Sequence, residues 1–258
     1  MRSRWLPPRE RVRPDVVLRL VVRTFSEVCL TAGTLIVLFV AYVLLWTGVK
    51  ADRAMDGEMA GLRDRWAAAA PAAGPEAAPQ TARPTPSGQP APPAGPAEPP
   101  RPPAGRAFAE MYVPRFGPDW VKPVLEGTDP ELLKKGLGHY AATARLGATG
   151  NFSVAGHRRT YGDPFKDFPE LRKGDEVILK DESTWYTYTV RGGPLRTLPT
   201  QVGVVAPVPE KSPFTTPGRY LTLTTCDPEW GHSHRLVVWA ELTATRPVGQ
   251  GRPEGLSG

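Results

Sequence analysis

The sequence predicts an all-β domain, a closed or sandwiched sheet with short helices, carried behind one apolar helix and a linker rich in proline and alanine. Three observations predict it. From residue 107 onward, short apolar or alternating runs are separated by glycine, proline and aspartate turn signals, with almost no long helical pattern. Val28 to Val49 contains no charged residue and is long enough, at about 33 Å as a helix, to cross a bilayer core. Residues 71–105 hold thirteen prolines, a composition that cannot bury a core.

Residues 1–27 carry seven arginines against Glu10, Asp15 and Glu27. That tail supplies +4 of the net charge of +6, leaving +2 for the rest. No clustered basic face remains, so nucleic acid is not an expected partner. Residues 50–69 carry four basic residues. The positive-inside rule therefore predicts a cytoplasmic tail (1–27), a single transmembrane helix (28–49) and an extracytoplasmic remainder in the plasma membrane. Tyr42 and Trp46 lie near the far end of the span, where interfacial aromatics are common. A cleaved signal peptide fits less well, because the n-region is long and no small-x-small site follows.

Residues 50–106 read as a helical stub followed by the linker. Met55, Met59, Leu62 and Trp66 have helix-like spacing, and the simplest account is a helix continuing out of the membrane. The disordered linker then reads as an extended spacer of up to ~110 Å, holding a domain away from the bilayer.

The folded domain is expected over 107–245, with a disordered tail over 246–258. A first strand lies near Glu110–Gly117, broken by Pro114. A short helix follows in Thr128–Gly136, with proline in its first turn and glycine as its stop. Strands are expected at Gly150–Gly156, Glu176–Lys180 and Thr184–Val190, and another at Gln201–Val205. Gly162–Leu171 reads as a loop with one helical turn. The last two strands are Arg219–Cys226 and Arg235–Leu242, joined by the loop Asp227–His234. In the first of these, Leu221 and Leu223 alternate with Thr222 and Thr224. The leucines should face a core, and Cys226 should face the threonine side, towards a cleft or solvent.

The two cysteines, Cys29 and Cys226, allow no disulfide framework, since one falls in the membrane span. Cys226 has three readings. A core thiol is the ordinary one, but strand parity opposes it. A metal site with His232, His234 and His157 is the second, although C-x5-H-x-H matches no standard zinc spacing. The third is a nucleophile, which needs a proton acceptor and local positive charge. His157, at the end of one strand, and Arg235, at the start of another, would supply both if the strands are neighbours. His232 and His234 read as solvated, His139 is uninformative alone, and Arg158-Arg159 reads as surface charge.

Thr222-Leu-Thr-Thr-Cys226 resembles the TLxTC signature of sortases, the cysteine transpeptidases of Gram-positive cell surfaces. Asn151-Phe-Ser-Val-Ala-Gly-His157-Arg-Arg-Thr-Tyr-Gly162 resembles the segment carrying their histidine, and Arg235 stands where their arginine stands. Tyr112-Val-Pro-Arg115 and Gly138-His-Tyr140 are similar to class E sortases of actinobacteria. The resemblance covers about residues 107–245.

It implies a closed barrel of about eight strands and a two-step acyl transfer without cofactor or metal. Cys226 would attack the threonine carbonyl of a Leu-Ala-x-Thr-Gly-like C-terminal sorting signal on a secreted protein. His157 would protonate the leaving glycine amine, and Arg235 would bind the developing oxyanion. The thioacyl would pass to an amine of a peptidoglycan precursor. Thr224, Thr225 and Tyr161 are candidate substrate contacts from their proximity to these residues. Two other classes stay open. An L,D-transpeptidase also uses Cys, His and Arg, but its His-Gly and Ser-x-Gly context is missing here. A non-catalytic wall-associated β-domain would make Cys226 incidental.

Overall fold

The structure is a computed structural model that describes residues 14–69 and 101–256. The chain forms two compact units, one ending at Trp46 and one running from Thr47. In the first, helix α1 (Pro14–Ala69) begins. Its stretch Leu18–Tyr42 is long and apolar enough to cross a membrane by length and composition, and overlaps the expected 28–49.

The second unit is built on nine strands: β1 (Ala107–Tyr112), β2 (Val121–Glu126), β3 (Leu137–His139), β4 (Gly150–Ala155), β5 (Glu176–Lys180), β6 (Thr184–Val190), β7 (Leu195–Thr197), β8 (Arg219–Asp227) and β9 (His234–Pro247). The ladder runs β6-β5-β1-β2-β3-β4-β8-β9, and β6 pairs again with β9 from Thr184↔Pro247 to Val190↔Ala240. Eight strands thus close into a barrel, which removes free edges from the ring. The short β7 is appended to the start of β9. Most pairs are antiparallel, but β2–β3 and β4–β8 are parallel. A single one-turn helix, α2 (Pro130–Leu133), starts at proline as expected.

The barrel is filled from every strand face that points inward. Phe152 and Val154 of β4, Leu221 and Leu223 of β8, and Val238 and Ala240 of β9 meet Val177, Leu179 and Tyr188 from the opposite wall. Burying each large apolar side chain contributes roughly 1.5–3 kcal/mol. The leucines of β8 therefore face the core, as their alternation predicts.

The threonine side of β8 does not face solvent. Thr222 and Thr224 are buried, because the segment after β7 folds over them. Val204 packs on Val237 and Trp239, and its carbonyl accepts from Trp239 Nε1 at 3.1 Å and Thr222 Oγ1 at 3.4 Å. Phe214 stacks on Tyr220 at 3.9 Å. This also corrects the strand expected at Gln201–Val205, which is a 3-10 turn over Val202–Val205. Its carbonyl is used by side chains rather than by a ladder. Only the end of the threonine side, at Cys226, opens outward.

Two expectations about the flanks are also corrected. The tail read as disordered from 246 is ordered to 256: β9 runs to Pro247, and Val248 and Leu256 pack against Tyr112, Ile178 and Trp185. The helical stub is no free continuation either. Ala51, Met55, Met59 and Leu62 form one buried face, and Leu62 packs with Ala107 and Leu125. Arg63 Nε meets the buried Glu110 carboxylate at 2.6 Å, and Arg65 donates to the Ala107 carbonyl. Most of the linker, residues 70–100, lies outside the described residues. After it, Arg101 donates to the Ala141 carbonyl and the Gly105 amide to the Glu126 carbonyl. The linker therefore joins two parts of one unit, and the spacing of the barrel from residues 51–66 does not depend on its length.

Candidate active site

The ends of three adjacent strands meet at one level. In β4 and β8, Ala155 stands opposite Thr224 in a parallel ladder, and the Gly156 amide donates to the Thr224 carbonyl at 3.1 Å. Two residues further along both chains, that register brings His157 level with Cys226. In β8 and β9, Cys226 and Arg235 are direct antiparallel partners. Directly opposed residues project to the same side, with Cβ atoms about 4.5–5.5 Å apart. Thiol and guanidinium thus stand opposite each other on β8 and β9, and the imidazole follows two residues past the end of the neighbouring β4.

Local sequence explains each placement. Gly156 precedes His157 because a Cβ there would lie 2.6 Å from the Phe165 ring and 2.7 Å from Leu137. Asp227-Pro228 ends β8 immediately after the thiol. The Phe165 amide donates to the His157 carbonyl at 3.0 Å, fixing the far side of the turn. Thr160, Tyr161, Gly162 and Asp163 then all have positive φ. Each non-glycine residue held there costs on the order of 1–2 kcal/mol, so the loop depends on surrounding contacts to keep its shape.

The three groups are only partly committed to other partners. Cys226 is a half-buried free thiol. The His157 Nε2 atom is buried and has no hydrogen-bond partner among the described residues. Burial, followed by the nearby Lys134 ammonium, holds its pKa below the usual imidazole value. Tyr161 lies against the imidazole with ring centroids 5.0 Å apart. Arg235 Nη1 donates to the His232 carbonyl at 3.0 Å and the His234 carbonyl at 2.9 Å. Its Nε and Nη2 make no hydrogen bond among the described residues. The two loop histidines thus matter through their backbone, which aims the guanidinium.

Arg158 and Arg159, expected at the surface, instead fasten the histidine loop to the cysteine loop. Arg158 Nη1 meets Asp227 Oδ1 at 2.5 Å, and Arg196 Nε of β7 meets Asp227 Oδ2 at 2.7 Å. Arg159 pairs with Glu229 and lies over the Trp230 ring at 5.3 Å. The residue after His157 is therefore ion-paired to the residue after Cys226. The signal available in the sequence was a pair of arginines following one candidate and two acids following the other.

The expected substrate contacts fall in different places. The Thr225 hydroxyl donates to the Gly156 carbonyl at 2.8 Å and that of Thr224 meets Tyr140 Oη at 3.1 Å; both threonines are buried. Tyr161 is half-buried beside His157. His139 lies inside the barrel wall, its Nδ1 2.7 Å from Glu126 Oε2 and its ring stacked on Phe152. His234 Nδ1 faces Ser233 Oγ and Arg196 rather than the thiol. A cavity of about 1030 Å³ between Trp66, Phe108, His139 and Tyr186 includes none of Cys226, His157 or Arg235.

Comparison with known proteins identifies the family of this barrel. The family model described as the sortase domain matches residues 111–243. Sortase SrtE2 of Streptomyces coelicolor is 33% identical over 93% of this chain and 89% of its own length. Sortase SrtE1 of the same organism is 35% identical over 91% of this chain, which spans 60% of SrtE1's length. Among solved structures, sortase E from Streptomyces avermitilis is 65% identical with a TM-score of 0.57, covering 59% of this chain and 98% of that one. Sortase E1 from Streptomyces coelicolor, solved with a tripeptide in the active site, is 37% identical with a TM-score of 0.56, covering 59% and 97%. The barrel, the family model over 111–243 and relatives matched along this length give one family assignment: the chain belongs to the sortases, and within them to class E.

Proposed function

We propose that this chain is a membrane-anchored cysteine transpeptidase in which Cys226, His157 and Arg235 carry the reaction. The observation that supports this most is the direct pairing of Cys226 with Arg235, beside the parallel β4–β8 ladder that leads to His157. Burial keeps the free imidazole largely neutral near neutral pH. His157 therefore takes the thiol proton as Cys226 Sγ attacks the threonine carbonyl of a sorting signal. The S–C bond forms, negative charge moves to the carbonyl oxygen, and the unengaged Arg235 donors meet it there. Collapse breaks the C–N bond to glycine, and the imidazolium gives its proton to the departing amine. An incoming amine then attacks the thioester, loses a proton to His157 and releases the thiol. One amide replaces another, so the exchange needs no added energy source.

The finer assignments follow the resemblance. The donor is a secreted protein ending in a Leu-Ala-x-Thr-Gly-like signal, cut between threonine and glycine, and the acceptor is an amine of a peptidoglycan precursor. The tripeptide in the Streptomyces coelicolor structure supports a peptide substrate. Exposed Trp230, against Arg159, and Leu198, next to the Thr197–Arg235 pair, offer apolar surface on which such a peptide can lie. Tyr161 is the proposed direct contact, while Thr224 and Thr225 serve the site by holding β4 against β8. The apolar helix anchors the chain, with the arginine-rich tail inside and the barrel outside.

The test is turnover by the full chain in detergent micelles. A labelled Leu-Ala-x-Thr-Gly peptide should be cut after threonine and joined to an added glycyl amine, and Cys226→Ala should abolish both. Turnover that survives Cys226→Ala would refute the assignment.

A further inference from the structure

Of the four successive positive-φ residues Thr160–Asp163 after His157, Gly162 rests on α1. A Cβ on Gly162 would lie 2.3 Å from Met55 Cε, 2.8 Å from Asp52 Oδ1 and 3.7 Å from the Ala51 Cβ. The first buried turn of the docked helix therefore sits directly on the loop, and only glycine leaves room for it. Met55 is 3% exposed, so this contact is fully closed. The helix is tied down independently along its length. Lys135 Nζ approaches Glu58 at 3.8 Å, Arg63 pairs with Glu110, and Lys180 Nζ sits over the Trp66 ring at 3.7 Å. On its other side the loop presents Tyr161 to the His157 ring, with Lys134 Nζ 5.3 Å from the tyrosine centroid.

We propose that Ala51–Trp66 of α1 is a positioning element for His157, acting through the Thr160–Asp163 loop. It touches no reacting atom. Its contribution is to hold a backbone that would relax if left alone, and thereby to keep Tyr161 and the imidazole in place. A catalytic group displaced by about 1 Å can lose on the order of 10²-fold in rate. Strain in the loop is thus balanced by a helix that sequence alone reads as a mere continuation out of the membrane. The inference rests on the catalytic reading of His157.

The experiment compares full-chain variants in micelles. Met55→Ser is expected to lower kcat about tenfold with KM within about twofold. Met55→Leu, which keeps the apolar volume, is expected to stay near wild type. The groups shown acting on the His157 ring are Tyr161 of its own loop and Lys134 beyond α2, with Asp52 of α1 against Gly162 and Cys226 and Arg235 on the neighbouring β8 and β9. Loosening the loop admits water to the ring, so the imidazole limb of the kcat/KM profile should move to higher pH in Met55→Ser. Amide exchange at Thr160–Asp163 should quicken in that variant. If Met55→Ser folds too poorly to assay, Leu62→Ala loosens the same helix at a distance from the loop and carries the same comparison. Unchanged kcat, limb and exchange overturn the proposal; so does a loss of kcat with an unmoved limb. His157→Ala tests the catalytic reading separately, since it should stop turnover without quickening loop exchange.

Discussion

Two levels of the same three strands differ in what their polar groups are given. In the interior, Thr222 Oγ1 donates to Asn151 Oδ1 at 2.8 Å, Asn151 Nδ2 to the Ala206 carbonyl and Trp239 Nε1 to the Val204 carbonyl. Ser153 Oγ is the exception there, with no partner. At the open end, among the described residues, His157 Nε2 is buried without a partner and Arg235 keeps two nitrogens unengaged. A buried polar group left unpaired costs stability, so at the imidazole the fold gives up stability for a free ring nitrogen. The interior level supplies the rigid register from which Cys226, His157 and Arg235 are aimed.

The largest effect should come from these three residues themselves. His157→Ala is expected to lower kcat/KM by at least about 10³-fold while thermal unfolding stays near wild type. Arg235→Ala should follow at about 10²–10³-fold, mostly in kcat, because it removes donors from the developing oxyanion. Steady-state kinetics on the sorting peptide read both. An Arg235 effect confined to KM would instead make it a ground-state binding residue.

The ion pairs between the two loops sharpen the comparison. Arg158→Ala leaves the largely buried Asp227 carboxylate with Arg196 alone. It is expected to cost about 1–3 kcal/mol of stability and about tenfold in kcat, read by denaturant unfolding and turnover on the same sample. One level down, Thr222→Val should cost about 1 kcal/mol with kcat within about twofold. Equal kinetic losses from both would erase the distinction between the levels.

The smallest effect is on pH. The folded His157 pKa lies below the unfolded value of 6.5. Below 6.5 the unfolded chain binds a proton that the folded chain refuses, so stability falls as pH drops through that window. His157→Gln should flatten this part of the profile, and an unchanged slope would mean that the ring is not buried in the neutral form.

Much of this was legible from local pattern. The alternation in Arg219–Asp227 and the apolar run of Arg235–Leu242 specify the strands that carry two of the three residues, and Gly156 marks the end of the third. β2 was not legible, because Pro123 interrupts it although it lies between two neighbours, and β3 is only three residues long. Val202–Val205 is apolar and β-branched, but its carbonyls serve Thr222 and Trp239. Arg158 and Arg159 look like surface charge until the partners 69 and 70 positions away are brought alongside. The docking face of α1 was present in its spacing, yet nothing local said that a barrel separated from it by the linker would cover it.

The central claim is that Cys226 forms a thioester at a site completed by His157 and Arg235. Intact-mass measurement of the full chain mixed with a Leu-Ala-x-Thr-Gly peptide, quenched in acid before an amine is added, reads it directly. The account predicts an adduct of Leu-Ala-x-Thr mapping to Cys226, discharged by glycyl amine, and its accumulation suppressed in His157→Ala and Arg235→Ala. A peptide cleaved by wild type with no adduct at Cys226, or an adduct that forms equally well in both variants, would contradict it.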